Sequence, residues 1–229
     1  MISEAQYTID EEAPPEAIAD SLQALVPARA RPIVRHRLVL LDTFNGRIAA
    51  AGGRLTARDA DGGARLEWQP RDRQVRLEVC MQTPVDFAWD LPSGPLRESL
   101  QPVIDVRRLL PQVELEIQGR MLDVLDNDRK TVARIRIEMG RARTPRRASP
   151  WHRIPTLVTL TALRGYNAAY ERLLRIIGSR PGLERSLAGL QAIALQAAGV
   201  PPPRDVSRFD VALVPSVRAD AGARQIHQA

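Results

Sequence analysis

The sequence contains few cysteines, lysines and aromatic residues, and these shortages limit the kinds of site that the protein can form. Cys80 is the one cysteine in 229 residues, which excludes an internal disulfide and a cysteine-based zinc site. Aromatic residues make up 4% of the chain, and this low content argues against base stacking on nucleic acid. Lys130 is the one lysine among 33 basic residues, so almost all of the positive charge is arginine. A net charge of +6 carried by arginine suits a phosphate-like partner, although a GC-rich genome produces the same bias.

Several motifs that define a chemistry are also absent. There is no apolar run of about 18 residues, which a membrane-spanning helix needs, and the N-terminus has no basic and apolar signal pattern. Neither a Gly-Lys phosphate loop nor a Gly-x-Ser-x-Gly nucleophile turn occurs. The histidines, His36, His152 and His227, are not spaced as metal ligands, and His36 is expected to be structural because it lies in a strand. We therefore expect a cytoplasmic protein without these catalytic devices.

The stretch from Arg35 to Gln69 predicts a strand, a short helix and a β-hairpin. Val34–Leu41 is rich in β-branched and large apolar residues, and Gly52-Gly53 ends a helix that begins near Asn45. Polar and apolar residues then alternate on both sides of a turn at Asp61-Gly62-Gly63. Each strand of this hairpin therefore has one apolar face and one charged face.

Comparable patterns continue to the end of the chain. Strands are predicted at 3–9 and around Val75–Val79, and a long hairpin turns at Asp126-Asn127-Asp128. Thr156–Leu163 predicts a last long strand, and helical spacing follows from Arg164 to Gly178 and from Leu183 to Ala198. Beyond a triple proline, residues 209–214 are strand-like, and 217–229 look like the beginning of a helix.

The order of these motifs resembles the CYTH family, the triphosphate tunnel metalloenzymes. The matching motifs are Asp42-Thr43-Phe44 after a strand, a helix ending Ala50-Ala51-Gly52, Leu55-Thr56-Ala57-Arg58, Gly94-Pro95-Leu96-Arg97, Leu109-Leu110-Pro111 and Leu163-Arg164-Gly165-Tyr166. The resemblance implies an α+β fold in which an antiparallel eight-stranded β-barrel forms a tunnel with flanking helices. It also implies a tunnel domain over 1–163, helices packing on it over 164–200, and a linker over 201–229 that leads toward a CHAD-like domain in cis.

The alternating strands leave open which face lines such a barrel. In one solution the apolar residues fill the lumen and the arginines are solvated. In the other, helices cover an apolar exterior and arginines line the lumen as phosphate-binding residues; the candidates are Arg58, Arg65, Arg76, Arg120 and Arg136. Unpaired buried charge is costly, so we expect nearby glutamates and a bound triphosphate or polyphosphate to balance such arginines.

The catalytic signatures of the family are incomplete in this chain. The resemblance implies carboxylates that hold magnesium or manganese, and the best candidates for metal ligands are Glu4, Glu78 and Glu138. The opening Glu-x-Glu-x-Lys motif keeps only Glu4, and Thr159 and Thr161 stand where the last strand should carry two glutamates. We therefore expect a degenerate tunnel domain that binds polyphosphate or triphosphate with little catalysis. The alternatives are an active metal-dependent triphosphatase and a structural module.

Overall fold

The structure, a computed structural model, describes residues 4–9, 14–60, 63–71, 76–146 and 148–201. Its strands are β1 (Glu4–Ile9), β2 (Ala28–Ala30), β3 (Val34–Asp42), β4 (Arg54–Ala60), β5 (Gly63–Gln69), β6 (Leu77–Met81), β7 (Leu110–Leu125), β8 (Thr131–Arg143), β9 (His152–Ala162) and β10 (Glu184–Ser186). The helices are α1 (Pro15–Gln23), α2 (Arg47–Ala50), α3 (Pro95–Ile104), α4 (Asn167–Gly178) and α5 (Leu190–Ala197). A 3₁₀ turn covers Ala88–Asp90.

All ten strands belong to one antiparallel sheet. Its order is β10-β1-β9-β8-β7-β3-β4-β5-β6, and β2 pairs with β7 beside β3. Gln6 on β1 and Glu67 on β5 are far apart in this order and still line one cavity, so the sheet curls strongly. We call the cavity side the inner face. The expected closed, eight-stranded barrel is replaced by ten strands in an open order, with no pairing between the two end strands among the described residues.

Helices α1 and α4 cover the outer face of one half of the sheet. Their apolar residues pack on those of β1, β7, β8 and β9, as the alternation along these strands predicts. Ile18 and Leu22 of α1 and Leu173 and Ile177 of α4 are almost completely buried in this core. Because these helices bury the apolar residues outside, the charged residues of β8 can face inward.

A second outer core lies under α2 and α3, against β4, β5 and β6. Trp68 is 1% exposed in its centre, and its indole Nε1 donates to Ser99 Oγ of α3 at 2.9 Å. Gly53 is needed here because a Cβ at this position would lie 2.1 Å from the Trp68 ring. The carboxylate of Asp42 accepts hydrogen bonds from the Ile48 and Ala49 amides, which ties the end of β3 to α2.

The last helix packs on the inner face instead. Leu190, Ile193 and Ala194 of α5 contact apolar residues of β3, β7 and β9, including Leu38 and Leu115. This helix is shorter than the one predicted from 183 to 198. Residues 184–186 instead form β10, which pairs with the edge of β1. The strand-like piece at 209–214 and the predicted linker beyond Pro201 lie outside the described residues. None of the described helices is long and apolar enough to cross a membrane.

Candidate functional site

A cavity of about 190 Å³ lies on the inner face, beside the end that α5 covers. Its wall is built from alternate residues of several strands, since every second side chain of a strand points to the same face. The residues that line it are Gln6, His36, Leu38, Leu40, Arg54, Thr56, Arg58, Glu67, Arg76, Arg136, Glu138, Leu157 and Leu190. The leucines lie toward α5, and polar and charged residues form the rest of the wall.

Positive charge exceeds negative charge in this wall. Four guanidinium groups, from Arg54, Arg58, Arg76 and Arg136, meet only two carboxylates. An uncompensated charge is costly in a partly buried site, because the surrounding medium screens it less than water does. The cavity is therefore complementary to an anion that carries more than one negative charge.

Glu67 is the central carboxylate of the cavity. Its side chain is 5% exposed and forms a hydrogen-bonded ion pair with Arg58 through one oxygen. The other oxygen lies 3.3 Å from Arg76 Nη1. Glu138 is 13% exposed and lies 3.2 Å from Arg136 Nε in a second ion pair. Each carboxylate of the wall is thus already engaged by arginine.

Arg54 differs from the other three arginines because it has no carboxylate partner among the described residues. It donates to Gln69 Oε1 at 2.6 Å, a neutral acceptor directly across the β4–β5 pair. Burial, and next to it the charge of Arg76, lower the pKa of Arg54. Arg54 is therefore the cavity cation whose charge the protein compensates least.

His36 reports on the same excess of charge. Burial lowers its pKa below the usual 6.5, and the nearby Arg58 and Arg136 lower it further, against the opposing effect of Glu138 and Glu67. The ring is therefore largely neutral at pH 7 when the cavity is free of ligand.

We expect the pKa of His36 to rise when tripolyphosphate fills the cavity, because the anion stabilises the protonated ring. Binding then takes up a proton, so affinity increases as the pH falls toward the raised pKa. Histidine ring signals followed by NMR against pH, with and without tripolyphosphate, measure this shift. The exposed His152 is the internal control, and equal shifts at His36 and His152 would contradict cavity binding.

A polar group without a hydrogen-bond partner lies on the inner face, between two residues of the cavity wall. Thr159 is 1% exposed, and its register with Gln6 and Arg136 places it on the inner face. No described group forms a hydrogen bond with its Oγ1 atom. A buried hydroxyl without a partner is unusual, since buried polar groups are nearly always satisfied. It is available to donate to an oxygen of a bound anion.

The structure brings together three of the five arginines predicted from the sequence. Arg58, Arg76 and Arg136 line the cavity. Arg65 is on the same face one pair further along β5, where it forms a 3.5 Å ion pair with Glu78 and is about half exposed. Arg120 pairs with Ile137, on the outer face of β7, and is not brought to the cavity.

Sequence reasoning did not select Arg54 as a site residue and expected His36 to be structural; both line the cavity. Arg54 lies four residues before Arg58 on one strand, so the alternation that selected Arg58 also contains the signal for Arg54. The position of His36 had no such signal, because its charged neighbours come from β4, β5 and β8.

The three glutamates predicted as metal ligands do not converge. Glu4 is opposite Thr161 and Glu138 is opposite Leu157, so they are separated by four residues, about 13 Å, along β9. Glu78 pairs with Arg65 outside the cavity wall. The described residues contain no group of three or more His, Cys, Asp or Glu that could hold a metal ion. This donor set does not fit magnesium or manganese, which need several convergent oxygen ligands.

Comparison with solved structures shows where the same fold occurs. HpAC1 from Hippeastrum, named for adenylyl cyclase and described as having a dominant triphosphatase activity, superposes with a TM-score of 0.53 at 12% identity. The match covers 86% of this chain and 96% of HpAC1. A Bacillus halodurans protein named for adenylate cyclase has a TM-score of 0.53 at 8% identity, covering 84% and 94% of the two chains. No protein-family model matches this chain, and no curated protein does.

Fold and cavity together define a class: a curled antiparallel sheet with helices outside and a charged inner face. The fold that it shares with these two structures is CYTH-like. At 12% and 8% identity the likeness establishes the fold, and the chemistry of the cavity depends on this chain's own residues.

Proposed function

We propose that this domain binds a linear inorganic phosphate chain, tripolyphosphate or polyphosphate, on its inner face. The observation that carries the proposal is the unequal charge of the cavity, where four arginines meet two carboxylates. Guanidinium groups bind phosphate oxygens through paired, charge-assisted hydrogen bonds. Arg54 and Thr159 supply donors that no carboxylate of the described protein occupies.

The proposed ligand agrees with the likeness in fold. HpAC1 is described as having a dominant triphosphatase activity, and this chain shares its fold. Triphosphate is therefore the first ligand to test. A CHAD domain acting together with this one in cis remains part of the proposal.

We further propose binding without strong catalysis. Hydrolysis of a phosphate chain needs neutralisation of the developing charge and a positioned nucleophile. The arginines can neutralise part of the developing charge. Glu67 and Glu138, however, are both paired with arginine and are not free to orient water or a metal ion. The same pairs hold the guanidiniums in place for a bound anion.

Calorimetric titration of the purified chain with tripolyphosphate tests the proposal. We expect saturable binding with one tripolyphosphate per chain, both with magnesium and with a chelator present. Released phosphate is assayed in the same samples, and we expect none above the protein-free control. Absence of binding in both conditions would reject the proposal. Phosphate release that depends on magnesium or manganese would favour an active triphosphatase instead.

A further inference from the structure

A second group of arginines lies on the inner face beyond the cavity. Asp123 of β7 is 1% exposed at its side chain and is surrounded by Arg29, Arg31 and Arg134. We call these four residues the Asp123 cluster. Arg31 forms two hydrogen bonds with the carboxylate, at 2.8 and 2.9 Å. Arg29 and Arg134 lie 3.5 Å from it.

One carboxylate cannot balance three guanidiniums. The bidentate pair with Arg31 uses the best hydrogen-bonding geometry of Asp123, so Arg29 and Arg134 are held only at long distance. Their side chains are 70% and 45% exposed, and their remaining N–H groups face solvent. Glu4 of β1 lies two strands from Arg134, since both are opposite Thr161 of β9. With Glu4 counted, three arginines meet two carboxylates, which leaves an excess of one positive charge. The cluster is thus an accessible cationic surface held in place by Arg31 and Asp123.

The register connects this cluster to the cavity. Arg134 and Arg136 are two residues apart on β8, about 7 Å, and point to the same face. Their partners on β7 are Asp123 and Met121. Arg136 is part of the cavity wall, so Arg134 is the next arginine outside it along the strand direction. A linear anion that fills the cavity and continues past Arg136 meets the cluster.

We propose that the Asp123 cluster is an outer subsite for the same phosphate chain, so that the inner face selects long polyphosphate over tripolyphosphate. This inference rests on the proposed function, because it assumes that the cavity holds one end of the chain. Arg29 and Arg134 bind phosphates that a short chain does not reach. Arg31 is a positioning residue that keeps Asp123 satisfied.

The test compares two ligands on two variants. The double variant Arg29→Gln/Arg134→Gln removes the outer arginines and keeps the Arg31–Asp123 pair, so we expect it to fold, which circular dichroism checks. Its affinity for polyphosphate of dozens of units should fall about tenfold, as expected for lost charge-assisted hydrogen bonds. Its affinity for tripolyphosphate should stay within a factor of two or so, since the cavity is unchanged.

A matched control removes the same charge elsewhere. The control is the double variant Arg35→Gln/Arg37→Gln. Both arginines are exposed and lie on the outer face of β3. An equal loss of polyphosphate affinity in this control would overturn the subsite, because it would show diffuse attraction. Unchanged polyphosphate affinity in Arg29→Gln/Arg134→Gln would also overturn it while leaving the cavity proposal intact. If the unmodified chain does not bind tripolyphosphate, the proposed function itself fails.

A third ligand distinguishes inorganic polyphosphate from a nucleic acid backbone, which is also a linear phosphate chain. Oligothymidylate has one charge per phosphate, as the internal units of polyphosphate do, but a nucleoside separates its phosphates and lowers the charge per unit length. We therefore expect it to compete weakly at physiological salt. Tighter binding of oligothymidylate than of polyphosphate would overturn the assignment to inorganic polyphosphate.

Discussion

Arg54→Gln is expected to reduce the affinity for tripolyphosphate by about tenfold to a hundredfold. Charge-assisted hydrogen bonds contribute about 1.5 to 3 kcal/mol each, and each 1.4 kcal/mol or so is a factor of ten in Kd. Arg54 should be near the upper end of this range, because it is partly buried and no carboxylate of the described residues forms an ion pair with it. Calorimetric titration of the variant and the unmodified chain under the same conditions measures the difference.

Arg120→Gln is the matched control for this prediction. The sequence places Arg120 among the phosphate-binding candidates, whereas the register places it on the outer face of β7, opposite Ile137. The same change of charge there should leave the affinity within a factor of two or so. Comparable losses in Arg54→Gln and Arg120→Gln would mean that net charge, and not the cavity, attracts the ligand. Thermal unfolding of both variants shows whether a loss of affinity comes from a loss of structure.

The different positions of Arg58 and Arg120 show what sequence alternation can predict. On β4 the pattern is simple, since Arg54, Thr56 and Arg58 face inward while Leu55 and Ala57 face outward along the whole strand. The expected strands, the two hairpins and the outer helices depend on such local signals. They are the parts of the fold that the sequence predicts well.

Strand β7 does not follow one pattern. Its buried residues Val113, Leu115 and Ile117 face inward beneath α5, and further along Leu122 and Val124 face outward beneath α1 and α4. The register with β8 is unbroken between these two parts, so the apolar residues change face without a bulge. One strand of 16 residues thus contributes to two cores. A sequence pattern cannot show which core covers each part, and this is why Arg120 could not be placed.

The open edge of the sheet and the Asp123 cluster also depend on distant contacts. Residues 184–186 become a strand only because β1 offers an unpaired edge, and three residues carry too little pattern to predict that. Asp123 meets Arg31 across 92 positions of the chain. The sequence contains the charges, but their pairing is a property of the folded sheet.

Glu67→Gln is expected to destabilise the protein and to strengthen its binding of tripolyphosphate. The substitution keeps the shape of the side chain but removes the charge that Arg58 and Arg76 share. Breaking a fully buried ion pair costs about 3 to 5 kcal/mol. Because Arg58 and Arg76 remain 33% and 41% exposed, water screens part of this cost and we expect about 2 to 3 kcal/mol in the free energy of unfolding.

The same change should favour the anion, since a repelling carboxylate disappears and two guanidiniums become free to donate. We expect about tenfold tighter binding of tripolyphosphate. A ligand that binds only the folded state stabilises it in proportion to the logarithm of its concentration over Kd. Tripolyphosphate should therefore raise the Tm of Glu67→Gln more than that of the unmodified chain.

Glu78→Gln separates this effect from a general loss of negative charge. Glu78 is 42% exposed and pairs at 3.5 Å with the half-exposed Arg65, so its removal should cost less than about 1 kcal/mol. Chemical denaturation of the unmodified chain and of both variants, with and without tripolyphosphate, gives the six free energies of unfolding needed. If Glu67→Gln is destabilised and the ligand rescues it no more than Glu78→Gln, the arginines around Glu67 serve the fold alone. If tripolyphosphate stabilises Glu67→Gln more than Glu78→Gln, the arginines around Glu67 bind the phosphate chain, and the Glu67 carboxylate competes with it for them.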